Sequence, residues 1–250
     1  MRQFIDKEDA RELVWQRLKS VAKPDSRFHF DFNEFIPDFH RSDDAKNNLI
    51  ELEVYRSSDL IFATPDNCLE EFREQIIVDG KTLIMPTYGI RRGFVLLRPE
   101  DVGEKLSLES VSLDCIERIG SYINLADIRS NFKIDLLVTG ASAVNCSGVR
   151  FGKGHGFFDL EWAMLYQIGA VNQSTIVVAF VHECQVVDMD LEIDEFDTIC
   201  DYIVTPMRVI SVKSGDKPTC GVVWNKLADG ILEDIPPLQE LKSMNYSSIK

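Results

Sequence analysis

Short aliphatic runs alternate with segments of helical period along this chain. Residues 60–63, 82–85, 134–138, 175–181 and 202–204 are apolar at consecutive or nearly consecutive positions, as strands buried on both faces are. Between them lie stretches such as 68–77, where apolar residues recur at helical spacing. This alternation predicts an α/β fold of three layers, α/β/α, around a mostly parallel central sheet. Residues 94–97, 185–187, 209–212 and 221–224 add edge or antiparallel strands to that expectation.

The helical patterns supply the outer layers. Asp6 caps a first helix whose stripe is Ala10, Leu13, Val14, Leu18 and Val21, with Pro24 closing it. A second runs over 44–54 on Ala45, Leu49, Leu52 and Val54, after an aromatic, proline-punctuated and irregular stretch over 28–41. The tail, with a short helix over 238–244 after Pro236-Pro237, reads as part of a 207–250 extension packed on the same domain. With 250 residues, 45% hydrophobic, and no linker-like segment, residues 1–250 are expected to form one domain.

Charge narrows the partners. A formal net charge of -14 opposes extended polyanions, so nucleic acid is not an expected partner, although a local basic pocket can still hold a small phosphate. Arg2, Asp6, Lys7, Glu8 and Asp9 leave no apolar core for a leader, and no membrane-length apolar run follows; a cytoplasmic protein without a membrane partner is the expectation. Six cysteines at wide intervals, without a CxxC pair, favour reduced thiols over a zinc site or disulfide framework.

The segment from Val149 to Asp159 carries the chemistry. Gly152, Gly154 and Gly156 are spaced by two, follow the 134–138 strand and precede a helix with Phe157, Leu160, Met164, Leu165 and Ile168 at helical spacing. Glycine permits close backbone approach and a helix start offers unpaired N–H groups, so with Arg150, Lys153 and His155 as donors the loop is suited to an anion. A sharp turn accounts for the glycines alone; the interleaved cations favour a phosphate. The loop matches neither the phosphate-loop motif nor the dinucleotide fingerprint. Lys7 and Arg11 share a face of the first helix and, read alone, are solvated charges partly offset by Asp9 and Glu12.

Together with Val14-Trp15, Glu161 to Leu165 and His182 to Asp188, these residues resemble the 5-formyltetrahydrofolate cyclo-ligase (methenyltetrahydrofolate synthetase) family from about residue 7 to about 206. The likeness is greatest to its branch of methenyltetrahydrofolate synthase domain-containing proteins. The resemblance implies ATP and Mg as cofactors and a reduced folate as the small-molecule substrate. It implies that Lys7 and Arg11, as a Lys-x-x-x-Arg pair, reach the ATP phosphates, and that the loop from Arg150 through Gly152, Lys153, Gly154, His155, Gly156, Phe157 and Phe158 wraps the nucleotide. Arg150, Lys153 and His155 then carry catalysis, and Asp159 and Asp197 hold magnesium. Asp66 falls near the family's pterin-holding acid, and is equally the cap of a helix starting at Asn67 or Cys68; Ile61 falls at an apolar ligand contact, and is equally an inward-facing strand residue. Phe157 and Phe158 also adjoin the substrate.

The implied reaction closes 5-formyltetrahydrofolate, or a similar formylated heterocycle, to the methenyl form with release of ADP and phosphate. Departures qualify the transfer: Phe157 and Phe158 replace paired tyrosines, His155 a basic residue, Phe196 the histidine of a His-Asp pair and Asn145 an acid. The alternative is a nucleotide-binding regulatory or interaction module that has lost the activity. His182 and Glu183, at the end of the 175–181 strand, are read as structural hydrogen-bonding residues, and His29 and His40 as surface or packing residues.

Overall fold

The computed structural model describes residues 4–102, 112–213 and 215–247. In chain order the elements are β1 (Phe4–Ile5), α1 (Lys7–Leu18), α2 (Ser42–Ile50), α3 (Glu53–Ser57), β2 (Leu60–Ala63), α4 (Glu70–Val78), β3 (Thr82–Pro86), β4 (Phe94–Leu97), α5 (Pro99–Val102), α6 (Leu113–Ile119), β5 (Ser121–Ile123) and α7 (Leu125–Asn131). They continue as β6 (Leu136–Thr139), β7 (Ala143–Asn145), β8 (Arg150–Phe151), α8 (Phe157–Gln167), β9 (Ile176–Phe180), β10 (Val186–Val187), β11 (Asp190–Leu191), β12 (Tyr202–Val204), β13 (Val209–Ser211), α9 (Ile231–Asp234) and α10 (Pro236–Ser247).

Eight strands form the central sheet in the order β13-β12-β9-β6-β2-β3-β4-β5. From β12 to β3 all neighbours are parallel; β13 at one end, and β4 and β5 at the other, pair antiparallel. The strand period divides the core between two faces. Ile61 and Ala63 turn toward the helices carrying Leu49, Tyr55, Phe72 and Ile76, while Phe62 turns toward those carrying Ile128, Trp162 and Leu241. The expected three layers are therefore present, and the five principal strands lie within two residues of their predicted limits.

Four expectations change. The 44–54 helix breaks at Leu52, whose backbone is extended (φ -64°, ψ 136°); the break turns Tyr55 into the core, where its hydroxyl donates to Asp79 at 2.6 Å. The first helix ends at Leu18 instead of running to Pro24, because Ala22 forms an antiparallel bridge to Phe39. Residues 221–224 form no strand: Gly221 takes a left-handed φ of 62°, and the Val222 N–H is used by the Gln167 side chain at 3.1 Å. β10 lies outside the main sheet, parallel to β7 in a three-stranded sheet of order β10-β7-β8.

That small sheet positions the glycine loop. Ala10 and Val14 of α1 pack on Ala143, Phe151 and Val187, and Asp6 caps α1 through the N–H groups of Glu8 and Asp9 at 2.8 and 2.9 Å. The extension is tied to α8 by the Trp162 indole, which donates to the Pro218 carbonyl at 2.9 Å. Leu238 and Leu241 of α10 are buried in the same cluster as Trp162, and Glu240 accepts the first N–H groups of α7, from Leu125 and Ala126, at 3.0 and 2.9 Å.

Candidate functional site

Thr64, Thr87 and Thr139, at the carboxyl ends of β2, β3 and β6, open into a cleft covered by the glycine loop. Parallel sheets place ligands at this edge, where strand ends diverge and backbone groups are unpaired. Antiparallel pairing of β8 with β7, Val144 opposite Arg150, sets the start of the loop. Its end is the N-cap of α8, Gly156, in the left-handed region at φ 67°. Gly154, at φ 109°, lies under Arg11, whose guanidinium is 3.5 Å from where a Cβ would stand. A side chain at either position would strain the backbone. Gly152 lies outside the left-handed region, and a Cβ there would meet nothing within 4 Å.

Arg150 and Asp159 brace the two ends of the loop. The Arg150 side chain is 2% exposed and donates to Asp159 at 2.9 Å, while its guanidinium lies 4.1 Å over the Phe158 ring. Asp159 also accepts the Thr198 N–H at 2.9 Å. Burial pushes the Asp159 carboxyl upward against the opposing pull of Arg150 and that N–H. Arg150 thus lines the cleft with its charge already engaged by a buried carboxylate.

Lys7 is half-buried and paired, not a freely solvated charge. It donates to Asp197 at 2.5 Å and to Asp194 at 2.9 Å, and the Asp194 N–H closes the turn on Asp197 at 2.8 Å. Asp159 and Asp197 are brought close through Thr198, yet Asp197 is absent from the cleft lining. Among the described residues no group of three or more His, Cys, Asp or Glu is gathered as a metal site. Arg11 lies 5.5 Å over Phe151 with its Nε buried and without a partner.

Among the described residues, Lys153 is the Lys or Arg of the cleft lining that pairs with no carboxylate. It donates to the Glu34 carbonyl at 2.8 Å and sits 5.0 Å over Tyr88, whose hydroxyl donates to the same carbonyl at 3.0 Å. Burial lowers the Lys153 pKa. His155 stacks on Phe157 at 5.5 Å and 13°, and burial, then Lys153, lower its pKa, favouring the uncharged ring. Phe157 and Phe158 both line the cleft.

Asp66 lies on the cleft wall. Its side chain makes no cap bond to the turn Asn67–Leu69; it accepts the Thr64 hydroxyl at 2.5 Å and the Gly140 N–H at 2.9 Å on the cleft wall. The buried Arg73 fixes this corner by donating to the carbonyls of Thr64 and Asp66 at 3.0 and 2.9 Å. Ile61, by contrast, is 0% exposed on the face of β2 toward the α2 and α4 layer and is a core residue, not a wall of the cleft. His182 accepts the Cys184 N–H at 3.2 Å, and Glu183 accepts the Thr205 hydroxyl at 2.7 Å.

Glu161 is a cleft residue that no sequence motif singles out. It lines the cleft, is 3% exposed, and its Oε2 is buried without a partner. The available signal was an acid inside the otherwise apolar run Leu160 to Leu165. Burial, then Asp66, raise its pKa well above the ordinary value. Between the ordinary and raised values the folded protein holds a proton that the unfolded chain has released, so stability falls as pH rises, by about 1.4 kcal/mol per unit for one proton. The Glu161→Gln variant is expected to lack that slope and to melt higher than the parent above pH 5; urea titrations from pH 4 to 8 with equal slopes for both proteins would refute this.

A second, more apolar cleft lies across the loop. It shares His155, Gly156 and Asp159 with the first and is closed by Val222, Leu227 and Ile231 of the extension.

These features define a three-layer α/β protein with two clefts on either side of a glycine loop at the carboxyl edge of its parallel strands. The model of the 5-formyltetrahydrofolate cyclo-ligase family matches residues 5–206, and the chain belongs to that family. It is 34% identical over 248 residues to the methenyltetrahydrofolate synthase domain-containing protein of Homo sapiens, covering 98% of this chain and 64% of the human one. The zebrafish (Danio rerio) protein of the same name is 31% identical, with 97% of this chain and 63% of that one aligned. The chain therefore spans less than two thirds of these relatives. The NMR structure of Aquifex aeolicus 5,10-methenyltetrahydrofolate synthetase superposes with a TM-score of 0.53 at 19% identity, over 84% of this chain and 95% of that one, a likeness of fold. Among the described residues no helix is long and apolar enough to cross a membrane.

Proposed function

We propose that this chain is an ATP- and Mg-dependent ligase that closes 5-formyltetrahydrofolate, or a similarly formylated heterocycle, to its methenyl form. The observation that carries the reading is the glycine loop standing as the common wall of two clefts. A reaction joining a phosphoryl donor to an organic acceptor needs two ligands to meet at one anion-stabilising backbone. Family membership supplies the reaction class.

The residues fit the groups that the reaction requires. Lys153, Arg11 and the unpaired N–H groups opening α8 are the phosphate-holding set, and the partnerless buried Nε of Arg11 is a donor awaiting an acceptor. Asp159 and Asp197 are hard oxygen donors of the kind that bind magnesium, which neutralises charge on the transferred phosphoryl group. Aromatic Phe157 and Phe158 present apolar faces to a planar ring. The formyl oxygen takes the terminal phosphoryl group of ATP, and a neighbouring folate amine then displaces phosphate. No protein nucleophile takes part.

A second reading rests on Lys7, which already neutralises Asp197: a chain in which this pair never opens binds nucleotide without turnover and serves as a regulatory or interaction module. One experiment separates the two. ADP release stimulated by 5-formyltetrahydrofolate, with methenyl absorbance rising in proportion, is the expected result. ATP binding without folate-stimulated release would overturn the ligase reading in favour of the module. If the lost hydroxyls limit the rate, the Phe157→Tyr, Phe158→Tyr double variant raises folate turnover; unchanged turnover points to another substrate.

A further inference from the structure

The inner wall of the first cleft holds a carboxyl group with one buried oxygen for which the described residues supply no partner. Glu161 lies in the second turn of α8, directly before the fully buried Trp162, with its Oε2 unsatisfied. The other acids of this region are all engaged: Asp66 by Thr64 and Gly140, Asp159 by Arg150 and Thr198, Asp197 by Lys7. Burying an unpaired acid is costly, and an apolar residue would serve the helix better. Such a cost persists where the missing partner arrives with a ligand.

The surroundings define that ligand. Glu161 and Asp66 line one cleft, and each is within electrostatic reach of the other. An unpartnered carboxyl oxygen beside a second acid selects a ligand edge rich in N–H donors, with Lys153 within electrostatic reach of both acids. The aromatic faces of Phe157, Phe158 and Tyr88 on the same cleft call for a flat ring.

We infer that Glu161 is a specificity-determining contact, accepting hydrogen bonds from adjacent N–H donors of a planar amino-substituted pyrimidine ring fused or free, with Asp66 as the second acceptor. The inference rests on the ligase reading only in identifying that ring with the pterin of the substrate.

The test uses the whole chain and two simple probes, pterin and lumazine, which differ in an amino group replaced by a carbonyl. The parent is expected to bind pterin about 10-fold or more tightly than lumazine, since a lost hydrogen bond also strands its buried partner. Glu161→Gln and Glu161→Leu are expected to abolish that preference while Mg·ATP affinity stays unchanged and thermal stability is equal or higher. Retention of the preference in both variants overturns the assignment, as does its loss only in parallel with a falling Tm, or a parent that binds neither probe. A parent that discriminates pterin from lumazine but does not turn over 5-formyltetrahydrofolate sinks the ligase reading and leaves Glu161 in place. Folate turnover with an unchanged KM in Glu161→Leu does the reverse.

Discussion

Replacing Arg150 with alanine is expected to destabilise the protein by about 3–5 kcal/mol, because it strands a buried carboxylate. The Arg150 side chain is 2% exposed and Asp159 13% exposed, and they pair at 2.9 Å. The lost guanidinium also uncovers the Phe158 ring that it overlies at 4.1 Å. At about 2–4 °C per kcal/mol for a chain of this size, Tm should fall by roughly 6–20 °C. An Arg150→Ala, Asp159→Ala double variant is expected to be more stable than the single one, since removing both partners removes the unpaired charge. Arg150→Lys restores charge without the planar fork and should recover only part of the loss. Calorimetry on the four proteins decides it: a single variant within 1 kcal/mol of the parent would show that the pair does not brace the loop. This brace revises the reading of Arg150 from the loop motif alone, where it stood as a free phosphate donor. Under the proposed function, its effect on ATP binding is therefore expected to pass through loop geometry.

The strands were legible because each is short, aliphatic and bounded by polar positions, so residues 60–63 and 202–204 are recovered as written. Failures occur where a local pattern competes with tertiary demand. The apolar stripe of Ala45, Leu49, Leu52 and Val54 is continuous across the break at Leu52, and only the burial of Tyr55 against Phe72 and Asp79 explains it. Residues 221–224 have strand composition, but their N–H group is taken by a side chain 55 positions away.

The site divides in the same way. Its glycine loop announced itself through spacing and interleaved cations, and the structure gathers Gly152, Lys153, His155, Gly156, Phe157 and Phe158 on one cleft with Asp66. Charge pairing did not announce itself. Lys7 meets Asp197 across 190 positions, a contact created by α1 packing on the small sheet whose strands β8 and β10 are two residues long, too short to leave a periodic signal. Glu161 was hidden for a different reason: an acid within a helix is ordinarily solvated, and only its position between the loop and the sheet makes it unusual.

Lys153→Ala is expected to lower kcat for folate-dependent ADP release by about 100- to 1000-fold, the cost of removing one donor that stabilises charge in a transition state. Lys153 is the cleft cation whose partner within the protein is a neutral carbonyl, that of Glu34 at 2.8 Å; Arg150 and Lys7 are committed to carboxylates. The variant leaves that carbonyl satisfied, because Tyr88 donates to it at 3.0 Å, so stability should change by no more than about 1 kcal/mol. Stability and activity thus separate between two cations three residues apart: Arg150 governs the first and Lys153 the second. Lys153→Arg keeps the charge but replaces a compact ammonium with a planar fork, and is expected to recover only part of the rate. Steady-state kinetics alongside thermal melts make the comparison. A folded Lys153→Ala protein with kcat within 10-fold of the parent would place the phosphoryl-stabilising charge elsewhere, with Arg11 the next residue to replace.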